Sequence, residues 1–226
     1  VSVSPMTGDV YVTLTNNKYR GVRDDQPLSA SNPRNYQVNG KASGNDNGHI
    51  IRWAEAGGDH AAMSFEWDIY LFGAPSDLAA ENLSQLNDNN DFSSPDGLYF
   101  DPRGVLWIQT DDGAYTDTTS CMLLAALPGK VSDGSMTTTS AGQTTLVGAS
   151  ANNDNIKRFF VGPEGCEVTG ITMAPDFKTL FINIQHPGNS WGAVAGGSIP
   201  RSATVMITKE DGDVILAESF ASVSET

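Results

Sequence analysis

Three stretches of the chain repeat one pattern: VSVSPMTGDVYVTLT (1–15), GLYFDPRGVLWIQTD (97–111) and GITMAPDFKTLFINIQ (170–185). Each alternates apolar and polar residues up to Pro5, Pro102 or Pro175 and crosses a short polar turn. It then resumes alternation with Tyr11, Trp107 or Phe181 five or six residues later. Period-two alternation marks a strand with one buried face, while proline fixes φ in the turn and supplies no ladder donor. Gly8 and Gly104 suit the left-handed turn position. Each repeat is therefore predicted to be a β-hairpin.

More strand-like sequence follows each hairpin: HIIRWAEA and MSFEWDIYLFG after the first, CMLLAAL after the second, ATVMITK and VILAES after the third. Each unit thus reads as a four-stranded antiparallel blade, over roughly 1–75, 95–162 and 166–220. The fold class is all-β, a partial β-propeller of about three blades. Successive turn prolines lie 97 and 73 residues apart, wider than the ~40–50 residues of compact propeller repeats, so insertions are expected. The polar segment 21–48 predicts a long loop, mobile or ordered by a ligand. The segment 129–145 predicts a link between outer strands of the middle blade. Two windows carry helix signals, 75–86 with Ser76 or Asp77 as cap and, more weakly, AALPG. Three blades do not close a ring of ~4–8. The chain accordingly reads as a piece of a longer protein, and its exposed edge strands predict pairing with a second copy.

Charge narrows the partners. The 226 residues include 27 acidic and 13 basic side chains, a formal net charge of −14, which repels nucleic acid and anionic membranes. No apolar run approaches the ~18 residues that span a bilayer. The two cysteines, Cys121 and Cys166, lack the spacing of a zinc site. One disulfide and two buried thiols both fit.

Asp96, in SPDG, and Glu167, in CEVTG, stand six and eight residues before turn prolines, where the chain enters the innermost strand of a blade. In a propeller those entrances converge at one end of the axis, and two acids there repel unless a cation or a proton lies between them. Carboxylate oxygens suit hard cations such as calcium, and Fe(III). The residues alone leave open a turn-capping role for Asp96 and a solvated one for Glu167. Arg52, in HIIRWAE, is either a bidentate phosphate ligand or a surface cation stacked on its neighbouring tryptophan. His186, in NIQHPG, is either a ligand or proton carrier, or a structural turn residue. The DDG at 111–113 and SGNDNG at 43–48 resemble calcium loops in composition but lack the EF-hand spacing. No GxSxG, HExxH or P-loop is present.

SPDGLYFDPRGVLWIQTD and CEVTGITMAPDFKTLFINIQHPG, with VYVTLTNNKYR and HIIRWAE, resemble the PhoX family of secreted alkaline phosphatases, in order along nearly the whole chain. The resemblance implies the C-terminal part of a six-bladed propeller that hydrolyses phosphate monoesters with a calcium and iron cluster. It also implies periplasmic or secreted location through the twin-arginine route. By it, Asp96 and Glu167 match metal-ligand positions, while Cys166 is not the family's iron-ligating cysteine, which comes from an earlier blade. A segment of this kind is expected to have at most residual activity alone. Two rivals stand beside this reading: a non-catalytic calcium-binding propeller module, and a calcium-dependent lactonase, since DGLYFDPRGVLWI also resembles gluconolactonase-type propellers.

Overall fold

The computed structural model describes residues 1–38, 41–111 and 119–216. The first repeat folds as β1 (Ser2–Val3) and β2 (Val10–Leu14), paired around Pro5 with Ser2 opposite Tyr11. A small separate hairpin follows, β3 (Tyr36–Val38) with β4 (Lys41–Gly44). β5 (His49–Glu55) and β6 (Phe65–Phe72) then complete an antiparallel sheet in the order β1-β2-β5-β6. This is the first predicted blade, with strands stacked outward in chain order.

The second repeat gives β7 (Pro95–Phe100) and β8 (Leu106–Thr110), joined by β9 (Met122–Ala126). The chain next leaves this sheet as a hairpin, β10 (Ser135–Thr138) and β11 (Thr144–Val147), before returning as β12 (Ile156–Val161) to close a four-stranded blade. Segment 129–145 does link outer strands of the middle blade, as expected, but it does more than link them. β11 pairs in parallel with β6, Val147 opposite Ile69, and extends the first sheet to six strands. An outer strand carries a row of unpaired N–H and C=O groups, and the hairpin covers it.

The third repeat gives β13 (Glu167–Met173), β14 (Thr179–Gln185) and β15 (Ala203–Thr208), an antiparallel sheet of three strands among the described residues. Of the expected strand VILAES, residues 215–216 form a turn, and residues from 217 onward lie outside the described residues.

The helix expected at 75–86 does not form; the segment runs as successive turns. The Asn82 side chain donates to the carbonyls of Ser76 and Leu86 and accepts from the Leu86 N–H, and Gln85 is left-handed at φ 57°. Local side-chain bonds to the backbone outcompete the helix there. AALPG likewise gives strand and loop, leaving one 3₁₀ turn, Ala56–Gly58, among the described residues.

An arginine holds much of segment 21–48 in place. The fully buried Arg34 donates to the carbonyls of Gly48, Gly73 and Glu81 and to the Asn45 side chain, drawing three chain segments together. Asn45, inside the calcium-like SGNDNG run, is thereby committed to the scaffold.

Two apolar cores tie the blades. Tyr11 stacks edge-on against Tyr70 and Phe100, at 5.4 and 5.1 Å between centroids, joining the first two blades. Trp107, fully buried, packs with Leu123, Val168, Leu180, Ile182 and Ile184 between the second and third. The third member of the aromatic repeat, Phe181, faces outward with 38% of its surface exposed. Its neighbours Leu180 and Ile182 take the inner face, since successive strand residues alternate sides.

Candidate functional site

β7 and β13 are the inner strands of their blades, and both begin at the same end of the molecule. Asp96 is the second residue of β7, at an irregularity between the Pro95 and Leu98 pairs, and its side chain is exposed. A hydrogen bond from Thr13 Oγ1 to the Asp96 carbonyl, 2.7 Å, ties this entrance to the first blade. Glu167 is the first residue of β13 and is buried. Asp96 stands close enough to Glu167 for its charge to raise the Glu167 carboxyl.

Antiparallel pairing brings two further residues to the same place. Thr110 lies opposite Pro95, so Asp111, next in the chain, comes back opposite Ser94, to whose carbonyl its N–H donates at 3.0 Å, two residues before Asp96. Gln185 lies opposite Glu167, so His186 returns beside Glu167. One ligand atom each of Asp111, Glu167 and His186 lie within 4.8 Å of one another. Burial pushes the Glu167 carboxyl above the usual range, Asp111 and Asp96 push it further, and His186 opposes them.

Two contacts orient the group. Gln185 Nε2 donates to Glu167 Oε2 at 2.6 Å. His186, left-handed at φ 37°, places Nδ1 3.2 Å from the Gly165 carbonyl. A carbonyl only accepts, so Nδ1 donates to it, and Nε2 lies 3.6 Å from Glu167 Oε2. Such second-sphere bonds are how ligating side chains are held still.

The structure thus brings Glu167 and His186 together with Asp96 near by, and adds Gln185, which the sequence reading did not single out, and Asp111, which it noted only within the calcium-like DDG run. Their signal was the hairpin itself: a residue ending the second strand comes back beside the one starting the first. Asp112 and Gly113 of the DDG run lie outside the described residues.

Arg52 is elsewhere. Its guanidinium is fully buried and bidentate on Asp68, at 2.8 and 2.9 Å, with a third contact to Asp133 at 2.6 Å. The expected alternative, a surface cation stacked on a tryptophan, does not hold either. Arg52 lies 5.0 Å from the Tyr70 ring centre instead.

The donor set, the Asp111 and Glu167 carboxylates and the His186 imidazole with Asp96 near by, fits a hard cation. Burial and the neighbouring acids keep Glu167 abnormally easy to protonate, and a positive ion between the acids would remove their repulsion.

The family model for the alkaline phosphatase PhoX matches residues 1–188. The chain belongs to the PhoX family. Among solved structures, PhoX of Pseudomonas fluorescens, in complex with the transition-state analogue vanadate, is similar at 37% identity and a TM-score of 0.74. That match covers 94% of the present chain and 33% of the other, so this PhoX chain spans about a third of the length of that structure. No curated protein matches it. The sheets described above are therefore a partial propeller of the PhoX kind. Among the described residues no helix is long and apolar enough to cross a membrane.

Proposed function

We propose that this chain supplies one side of a metal-dependent centre that hydrolyses phosphate monoesters. The observation carrying the proposal is the convergence of Asp111, Glu167 and His186 at the shared end of two inner strands, with Asp96 close enough to raise Glu167, in a chain of the PhoX family. The printed association of a relative with vanadate, a mimic of pentavalent phosphorus, supports phosphoryl chemistry.

Asp96, Asp111, Glu167 and His186 Nε2 would hold cations, calcium and Fe(III) being those that match oxygen donors. Bound cations neutralise charge developing at phosphorus and make an oxygen nucleophile available at neutral pH. The residues of this chain bind and orient. Gln185 fixes one oxygen of Glu167, and the Gly165 carbonyl fixes the tautomer of His186, so both present acceptor atoms to the same point. Asp96 and Glu167 hold metal and do not attack phosphorus. Because the chain spans a third of its relative, activity of the 226 residues alone is at most residual. The same reading places the whole protein in the periplasm or outside the cell, exported by the twin-arginine route. Arg52, the other substrate-binding candidate, is held by Asp68 and Asp133.

The test is hydrolysis of p-nitrophenyl phosphate by the full-length protein with calcium and iron supplied. Asp96→Ala and Glu167→Ala variants of matched folding are run beside it. The expectation is a loss of at least about 100-fold in each, in line with removal of one strong electrostatic contact. Full activity in both variants would reject the assignment.

A further inference from the structure

We propose that Cys121 and Cys166 form a disulfide pinning β13 to β9 one residue ahead of Glu167. The two lie 45 positions apart in sequence, yet Gly162 brings them together. Its N–H donates to the Cys121 carbonyl at 2.8 Å, continuing the β12–β9 ladder beyond Val161 and Met122. The chain then turns back through Pro163, whose carbonyl accepts from the Cys166 N–H at 3.2 Å. A β-carbon on Gly162 would meet Cys166 Sγ at 2.4 Å and the Cys121 carbonyl oxygen at 3.2 Å. The Cys166 sulfur therefore rests on a bare glycine whose N–H is bonded to the Cys121 carbonyl. Both side chains are buried in the same apolar cluster between the second and third blades, and in this structure the two are not joined by a disulfide.

Because both sulfurs are enclosed once the blades have packed, the bond forms while the chain folds. A small-molecule disulfide such as oxidised glutathione is the oxidant. One cysteine thiolate attacks it, releasing one glutathione thiolate and giving a mixed disulfide, and the second cysteine displaces the other. Two cysteine thiols lose two protons and two electrons, and the oxidant becomes two thiols. With two cysteines in the chain, the intramolecular pairing is unique. Its consequence is positional: the strand start bearing Glu167 is joined covalently to the blade bearing Asp96 and Asp111. The claim concerns connectivity and stands whether or not the site hydrolyses phosphate.

The test refolds the 226-residue chain in a glutathione redox buffer, alkylates it in denaturant and weighs it. The expected result is a monomer in which neither cysteine takes up the reagent until reductant is added, with one proteolytic peptide pair joined through Cys121 and Cys166. Reduction should then lower Tm by roughly 5–15 °C, as for a cross-link closing a loop of this size. A folded chain with both cysteines alkylated, a cross-linked dimer, or a Tm unmoved by reduction would each overturn the proposal.

Discussion

Burial, Asp111 and Asp96 all disfavour the charged form of Glu167, and His186 opposes them. The sign of the consequence is fixed. A carboxyl whose folded pKa is raised costs stability as pH rises through the window above its ordinary value, and a cation removes that cost. Calcium is therefore expected to raise Tm more at pH 7 than at pH 4.5, and Glu167→Gln should erase the difference; equal shifts at both pH values would contradict it. His49 acts in the other direction. Fully buried between Asn45 and the Ser31 carbonyl, it has its pKa pushed down from 6.5 to about 3 by desolvation. The unfolded chain takes up that proton near pH 6.5 and the folded chain does not, so stability is complete above pH 6.5 and drains away between 6.5 and 3. The loss approaches ~1.4 kcal/mol per pH unit from this group alone. In urea titrations across that range His49→Asn should show a shallower slope than wild type; parallel slopes would exclude the account. Asp96 and Glu167 were legible in the sequence because each sits at the start of an alternating strand. Arg52 was not, since its partners lie 16 and 81 positions away and nothing local marks them.

The β10–β11 hairpin belongs to the second blade by sequence and to the first by pairing. Asp133, just ahead of β10, reaches Arg52 on β5, while the Ser132 N–H donates to Asp68 on β6 at 2.8 Å. Removing one partner of a buried ion pair strands the other, so Asp68→Ala should cost about 3–5 kcal/mol in chemical denaturation; a loss under ~1 kcal/mol would show that the pair does not hold the hairpin. Gly134 makes a sharper probe. A β-carbon there would sit 1.9 Å from the Val147 carbonyl oxygen, which is backbone and cannot swing aside. Gly134→Ala is expected to speed hydrogen exchange at 135–147 selectively, with β7, β8 and β9 unaffected; uniform protection would contradict the pairing. The three hairpins were readable because proline, polar turn and alternation are local. The parallel β11–β6 contact was not, because one strand finding an open edge depends on where the blades stand in space. The turns at 75–86 were misread as helix for a related reason: apolar periodicity was visible, but not the Asn82 side chain that rewires the backbone there.

At the scale of the molecule, the cores on either side of the middle blade hold three sheets so that inner strands start at one end. Trp107→Ala, which empties the core between the second and third blades, should cost about 3–5 kcal/mol. Among the described residues β15 is an edge strand, with Met206 63% exposed, which predicts self-association. Light scattering should show mass rising with concentration, and a monomer at high concentration would remove that expectation. The propeller architecture was legible because blades repeat. The composition of the site was legible only in part, because Asp111 and Gln185 acquire meaning once hairpin register is known. What the whole arrangement asserts is that residues from two blades share one cation. The most direct measurement is calorimetric titration of the folded chain with calcium, beside Asp96→Ala on the second blade and Glu167→Gln on the third. Saturable binding that weakens at least about tenfold in each variant is the predicted result. Binding that survives both substitutions unchanged, or no binding by a folded wild-type chain, would contradict it.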